Sequence, residues 1–216
     1  MTPDGREPLR IVAWTDYKSP YAYAASRPTL ALAVEYPVEL VWRPYTLRIA
    51  EYLGSVEKRS EHDWRKVRYA YMDARRHAAK QGLVIKGPKR IFDGYLASVG
   101  MLYAQRAGCF ARYHEATFTR FWQRELDIDR MDEMRDHIAN VGGSPDDFER
   151  YATDPTTRRE HDTLVAQAEA AGVFGVPSFV LDGELFWGGD RLGLLRERIA
   201  QRLQGLAAAP TPERRP

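Results

Sequence analysis

Segments that favour β-strands occur only near the two ends of this 216-residue chain. The first, "LRIVAWTD" (9–16), is short, apolar and rich in strand-forming residues. From about residue 60 to 172 the apolar residues instead recur at helical spacing, as Trp64, Val67 and Tyr71 do at i, i+3 and i+7. Any fold for this chain must therefore build its sheet from segments that lie far apart in the sequence.

The order of the predicted elements indicates the fold class. Residues 19–35 predict a helix that ends before Pro37, and "VELVWRPYTL" (38–47) predicts a second strand, which together suggest a right-handed parallel β-α-β unit. "PSFVLDG" and "ELFWGG" then predict a hairpin. "DRLGLLRERIAQRL" predicts a closing helix that Asp190 is placed to cap. The order β-α-β, helical block, β-β-α is that of a thioredoxin-like α/β fold with a large all-helical insertion; a doubly wound fold would need more parallel strands.

This order also predicts how the chain divides into domains. Residues 9–50 and 173–204 form a discontinuous thioredoxin-like domain, and residues 51–172 form an inserted helical domain. The termini, 1–8 and 205–216, are expected to be flexible.

Within the insertion, "GPKRIFDGYLASVGMLYAQRAG" predicts one helix that ends at Gly108. The basic residues of 64–80 have two interpretations, an anion site for a carboxylate ligand and a solvated helix face, and the second is favoured for most of these charges.

Composition excludes several classes of protein. The chain is 44% hydrophobic and 29% charged with a net charge of +2, which is ordinary for a soluble globular protein and too balanced to indicate a nucleic-acid or membrane partner. The five histidines are scattered without metal-ligand spacing, so no metal site is expected. The only cysteine, Cys109, can form neither an internal disulfide nor a dithiol pair; we expect a cytoplasmic protein in which Cys109 is not catalytic.

The segment "DYKSPYAY" (16–23) places Ser19 between the first strand and the first helix. One interpretation is a plain helix cap, since Ser followed by Pro often begins a helix. The other is chemical, because thioredoxin-like proteins carry their reactive group at this turn. Ser19-Pro20-Tyr21-Ala22 stands where a redox member has Cys-x-x-Cys. Disulfide exchange by the protein itself is excluded, but the hydroxyl can donate a hydrogen bond to another molecule's thiolate.

Two C-terminal segments could contact a ligand. Pro177 in "GVFGVPSF" either simply opens a strand or is a cis proline that leaves the backbone of Val176 free to pair with a peptide. In "FWGGDRL", Gly188 and Gly189 allow close approach of the backbone to a ligand, and Asp190 could bind an amino group. The alternative for this second segment is a hairpin end followed by an ordinary helix cap.

Together, "DYKSPYAY", "YMDARR" and "GVFGVPSFVLDGELFWGGDRL" resemble the 2-hydroxychromene-2-carboxylate isomerases, relatives of the kappa-class glutathione transferases and of DsbA, over roughly residues 9–203. The resemblance implies that glutathione is the cofactor. It implies that Ser19 holds the sulfur and that Val176, before Pro177, pairs with the tripeptide backbone. The γ-glutamyl end of glutathione would be bound by Trp187, Gly188, Gly189 and Asp190.

The sequence departs from that family at two positions. Where the family has a Gly-Asn pair that contacts the ligand, the nearest match is Gly54-Ser55, so Ser55 is the expected contact. A family lysine is replaced by Arg48, which we expect to hold the carboxylate of the substrate.

The activity implied by the resemblance is glutathione-dependent cis–trans isomerisation of an aromatic or conjugated carboxylate, with glutathione regenerated. Two alternatives remain open: a kappa-class-like transferase that consumes glutathione, and a non-enzymatic, DsbA-like protein that binds glutathione or another thiol. A homodimer is compatible with each of them.

Overall fold

A computed structural model of the chain describes residues 7–49 and 59–208. Within these ranges the strands are β1 (Leu9–Thr15), β2 (Val38–Pro44), β3 (Ser178–Leu181) and β4 (Glu184–Trp187). They form one mixed sheet in the order β2-β1-β3-β4, in which β1 is parallel to β2 and antiparallel to β3, and β3 is antiparallel to β4. The sheet and its helices confirm the predicted thioredoxin-like α/β fold.

Eight α-helices accompany the sheet in the described ranges. They are α1 (Pro20–Glu35), α2 (Glu61–Ala79), α3 (Tyr95–Arg106), α4 (Phe110–Trp122), α5 (Met131–Asn140), α6 (Pro145–Thr153), α7 (Pro155–Ala170) and α8 (Leu192–Ala208). Helices α2 to α7 all lie between β2 and β3 in the sequence, as predicted, whereas the division into two domains stays a prediction. In the described part of the chain no helix is long and apolar enough to cross a membrane.

Helix starts follow local capping chemistry. Ser19, Ser60 and Ser144 cap α1, α2 and α6, and each side chain accepts a hydrogen bond from a backbone N–H of the first turn. Asp190, expected to cap the last helix, instead lies inside a 3₁₀ turn (Gly189–Arg191) that precedes α8. That prediction was wrong because the extra turn moves the helix start to Leu192.

The carboxyl ends of β1 and β2 meet at one edge of the sheet, and this edge positions the candidate site. Thr15 pairs with Pro44, and the Tyr45 N–H donates to the Thr15 carbonyl at 2.9 Å. The segment that follows β2 therefore runs beside the turn that contains Ser19, which is where ligands commonly bind in α/β sheets.

Candidate functional site

A cleft of about 950 Å³ opens at this edge of the sheet, and Ser19 is part of its wall. Much of the lining is apolar or aromatic, including Trp64, Tyr71, Phe92 and Trp187. Its charged lining residues, among the residues that the structure describes, are six cations and one anion: Lys18, Arg48, Arg59, Lys66, Lys89, Arg90 and Glu169. Three of these cations pair with carboxylates outside the lining: Lys18 with Asp16, Lys66 with Asp63, and Arg90 with Asp127 and Asp129. The lining therefore suits a ligand with a substantial apolar body, and the exposed Arg48 adds a contact for an anionic group.

Ser19 is buried, with 4% of its surface exposed, and it both caps a helix and reaches across the fold. Its Oγ accepts a hydrogen bond from the Ala22 N–H at 3.1 Å and donates to the Val176 carbonyl at 3.2 Å. The plain-cap interpretation is therefore correct but incomplete. The hydroxyl proton points towards a backbone carbonyl at the cleft wall and is the one proton that Ser19 can offer to a ligand.

The Val176–Pro177 peptide bond is cis, which confirms that expectation. The Val176 carbonyl is occupied by Ser19, and the Pro177 carbonyl accepts from the Gly188 N–H at 2.8 Å. Among the described residues, the Val176 N–H has no hydrogen-bond acceptor. Because Val176 lines the cleft, this amide is a donor still available for an extended peptide-like ligand.

Trp187 also lines the cleft, and it is paired with an aromatic residue that the sequence analysis missed. The rings of Trp187 and Phe174 lie 4.6 Å apart between centroids, and both side chains are about half exposed. The indole covers Gly175, where an added Cβ would lie 2.8 Å from Trp187 Nε1. A side chain at position 175 would therefore displace the indole from this position beside Phe174.

The rest of the predicted γ-glutamyl segment lies just outside the cleft wall. Gly189 packs against α1, since a Cβ there would lie 3.0 Å from the Ala25 Cβ. Asp190 is exposed, and its carboxylate accepts from Arg191 Nη1 at 2.8 Å. Asp190 is near Tyr21, which lines the cleft. Burial first, then the hydrogen bond to Asp73 and neighbouring negative charges that include Asp190, raise the pKa of Tyr21 to about 12.

Of the two positions where the sequence departs from the family, one can be placed. Arg48 follows β2, is exposed and lines the cleft together with Ser19, as expected. Ser55 lies outside the described residues, so its contact with glutathione stays a prediction.

Asp16 and Lys18 hold the segment after β2 against the turn of Ser19, a role that sequence reasoning missed. The Asp16 carboxylate accepts from the Leu47 N–H at 2.7 Å, and Lys18 Nζ donates to the Leu47 carbonyl at 3.0 Å and to the Asp93 carbonyl. Asp16 and Lys18 are both buried and lie 3.5 Å apart. Burial raises the pKa of Asp16, and the charge of Lys18 opposes that rise.

Cys109 is buried at the start of α4, and it is not among the cleft-lining residues. Burial raises the pKa of its thiol, which keeps the thiol protonated and unreactive. In the described ranges no three His, Cys, Asp or Glu residues are grouped so that they could hold a metal ion.

Comparison with known proteins agrees with this geometry. Residues 10–200 match the family model described as DSBA-like thioredoxin domain. The chain is 26% identical over 185 residues to the 2-hydroxychromene-2-carboxylate isomerase of Sphingobium xenophagum, covering 85% of this chain and 94% of the relative. It is 23% identical over 189 residues to the enzyme of the same name from Pseudomonas putida, covering 86% and 92%.

Solved structures give the same picture of the fold. A structure of 2-hydroxychromene-2-carboxylate isomerase matches with a TM-score of 0.78 at 23% identity, over 94% of this chain and 100% of that one. A probable DsbA oxidoreductase from Streptomyces coelicolor matches with a TM-score of 0.74 at 17% identity, over 96% and 92%. Since the family model spans almost the whole described chain, this protein belongs to the family of DSBA-like thioredoxin domains.

Proposed function

We propose that this protein is a glutathione-dependent cis–trans isomerase of a small aromatic or conjugated carboxylate, of the 2-hydroxychromene-2-carboxylate isomerase type. The observation that carries the proposal is the buried Ser19 hydroxyl, which caps α1 and contacts Val176 on the wall of an apolar and aromatic cleft that Arg48 also lines. The relatives of that name, at 22–26% identity over most of both chains, support the same reaction class.

The residues at the Ser19 turn fit glutathione. The positive end of the 16-residue helix α1 favours a negatively charged sulfur, and the Ser19 hydroxyl can donate to that sulfur if it rotates away from the Val176 carbonyl. The unpaired Val176 N–H can donate to a backbone carbonyl of the tripeptide. Asp190, near the edge of the cleft, can accept a hydrogen bond from an amino group.

Other residues of the cleft wall fit a carboxylate with an aromatic body. Arg48 lines the cleft together with Ser19, and a guanidinium can bind a carboxylate through two parallel hydrogen bonds. Trp64, Tyr71 and Phe92 provide apolar surface for a ring.

The chemistry divides between cofactor and protein. Bound glutathione would supply a nucleophilic thiol whose reversible addition makes a double bond single, so that rotation needs no net oxidation. Ser19 and the α1 terminus hold the sulfur as its anion, Arg48 fixes the carboxylate, and the aromatic walls exclude water. Because no second thiol or disulfide stands in the described cleft, the protein itself contributes position and charge rather than redox chemistry.

A single assay tests the proposal and separates it from its alternatives. Purified protein is incubated with 2-hydroxychromene-2-carboxylate with and without glutathione, and both the product and the total free glutathione are measured. We expect conversion that depends on glutathione and leaves its concentration unchanged. Stoichiometric loss of glutathione into a thioether would instead indicate the transferase. Binding of glutathione without any turnover would indicate a non-enzymatic protein. A cytoplasmic location and a homodimer stay predictions.

A further inference from the structure

A second cavity, of about 450 Å³, adjoins the cleft through a shared wall that includes Thr46, Arg48 and Phe92. Its lining combines apolar side chains, among them Leu47, Ile91 and Val165, with five charged residues. The charged residues are Arg48, Asp93, Arg158, Asp162 and Glu169. The apolar part offers a surface for a ring, and the polar part offers hydrogen-bonding groups for its substituents. The polar wall of this cavity includes Thr46 from the segment after β2 and His161 from α7. None of the sequence motifs and none of the roles proposed above involves His161.

Thr46 is the centre of a chain of four polar side chains. Its Oγ1 lies 2.7 Å from Ser98 Oγ and 2.8 Å from His161 Nε2. The other ring nitrogen of His161, Nδ1, lies 3.1 Å from the Asp162 carboxylate. Ser98 and His161 are buried, at 2% and 5% exposure, whereas Thr46 is half-buried and lines both cavities.

Counting protons in this chain shows what Thr46 can still bind. The carboxylate of Asp162 only accepts, so His161 Nδ1 carries a proton. If the ring is neutral, Nε2 accepts the Thr46 proton and Thr46 accepts from Ser98. If the ring is protonated, Nε2 donates to Thr46 and Thr46 donates to Ser98. In both states the Thr46 hydroxyl has no proton left and one lone pair left.

We propose that Thr46, held by His161 and Ser98, is a subsite that accepts a hydrogen bond from a hydroxyl group on the aromatic ring of the substrate. This inference rests on the proposed function, because it assigns a second contact of a carboxylate substrate that also contacts Arg48. It also defines specificity. A ring hydroxyl has a proton for the remaining lone pair, whereas a methyl ether or a ring carbonyl offers only lone pairs and is left unpaired against Thr46.

A second interpretation of the same contacts is purely structural, since the chain of hydrogen bonds also joins the segment after β2 to α3 and α7. The two interpretations predict different effects on ligand affinity. A structural tie would change stability and the affinity for all ligands alike, whereas a subsite changes the ratio of affinities between a hydroxyl and its methyl ether.

The test uses hydroxycinnamates with the hydroxyl at ring position 2, 3 or 4, each paired with its methyl ether, titrated calorimetrically into the full-length protein without glutathione. For at least one ring position we expect the hydroxyl compound to bind about tenfold or more tightly than the ether. In Thr46→Val, which keeps the shape and removes the oxygen, the ratio should fall below about threefold. In His161→Phe the ratio should fall as well. Thr46 can then accept from Ser98 and donate its own proton to the ether oxygen.

Ser98→Ala is the matched control. With the His161 ring neutral, it breaks the same chain but leaves the Thr46 proton on Nε2 and the Thr46 oxygen able to accept, so the preference for the hydroxyl should remain. All titrations are therefore run at pH 8, which favours neutral imidazole. Thermal unfolding of each variant checks that it is folded.

Three results would overturn the subsite. Equal affinity of the wild type for every hydroxyl and its ether would remove it while leaving the proposed carboxylate cleft intact. Loss of the preference in Ser98→Ala to the same extent as in Thr46→Val would show that the chain is structural. Binding of none of the cinnamates at millimolar concentration would overturn both the subsite and the proposed carboxylate site.

Discussion

The Ser19 hydroxyl donates a hydrogen bond of 3.2 Å to the carbonyl oxygen of Val176, a residue 157 positions further along the chain. This contact joins the start of α1 to the segment before β3, which carries the cis peptide bond. It brings a helix terminus, a hydroxyl donor and an unpaired amide to one wall of the cleft. A thiol bound there would therefore replace an internal hydrogen bond rather than fill an unsatisfied site.

We expect Lys18→Met to be strongly destabilising, because it leaves the buried carboxylate of Asp16 without its cation. Breaking a buried pair by removing one partner costs about 3–5 kcal/mol. The double variant Asp16→Asn, Lys18→Met buries no unpaired charge and should recover part of that loss. Urea denaturation of the wild type, the single variant and the double variant measures the free energy of unfolding of each. A single variant as stable as the wild type would show that Lys18 does not hold the Leu47 segment in place.

Acidification should lower the free energy of unfolding through His114. Burial lowers the pKa of His114 to about 3, and its Nδ1 lies 3.2 Å from the Tyr17 hydroxyl. The unfolded state binds a proton near pH 6.5 and the folded state does not, so stability is lost as pH falls from about 6.5 towards 3. Between pH 7 and pH 5 this single group accounts for about 2 kcal/mol.

The comparison that isolates this effect is His114→Phe, whose stability should fall less steeply with acidification than that of the wild type. Phe118→Leu alters a ring that packs against His114 without removing a titrating group, so it should keep the wild-type slope. Urea denaturation at pH 7, 6 and 5 gives the slopes. Identical slopes for His114→Phe and the wild type would refute the assignment. His137, whose pKa burial lowers to about 4, contributes in the same direction in all three proteins.

Arg48→Ala should lower kcat/KM for the carboxylate substrate. Losing the proposed pair between the guanidinium and the substrate carboxylate in a partly desolvated cleft should cost about 2–4 kcal/mol of transition-state binding. This corresponds to a decrease in kcat/KM of roughly 30- to 1000-fold. Arg198→Ala removes an arginine that pairs with Glu184 and is not among the cleft-lining residues, so its kinetics should match the wild type. If both variants kept full activity, Arg48 would be a surface charge without a role in substrate binding.

Cys109→Ser should retain glutathione-dependent activity, because the thiol is buried, protonated and absent from the cleft wall. Steady-state kinetics on the folded variant measure this. A decrease in kcat/KM of more than about tenfold with unchanged folding would mean that Cys109 takes part in the reaction.

Local signals in the sequence were sufficient to predict the strands, the helix cap at Ser19 and the place of Pro177 just before β3. They were not sufficient where distant residues decide the structure. The helix predicted to begin near Gly87 begins only at Tyr95, because Gly94 adopts a φ of 78° and its N–H donates to Asp129 at 2.8 Å. No local pattern encodes a carboxylate 35 residues away.

The same limit applies to the site. Asp16 and Lys18 stand beside Ser19 in the sequence, but no local pattern reveals that both bind the backbone of Leu47. Thr46 and His161 lie 115 residues apart, so their contact becomes visible only when the segment after β2 is packed against α7.

The rate of glutathione-dependent isomerisation in Ser19→Ala, measured beside Ser144→Ala, tests the central claim most directly. Ser144 caps α6 and is followed by Pro145, as Ser19 caps α1 and is followed by Pro20, so each variant loses the same kind of cap at a cost of about 1 kcal/mol of stability. We predict that only Ser19→Ala loses activity and glutathione affinity, each by about 10- to 100-fold, because only there does the hydroxyl donate to a thiolate. Equal rates and equal glutathione affinity in the two variants would contradict the account, since the contacts of Ser19 with Ala22 and Val176 would then be structural only.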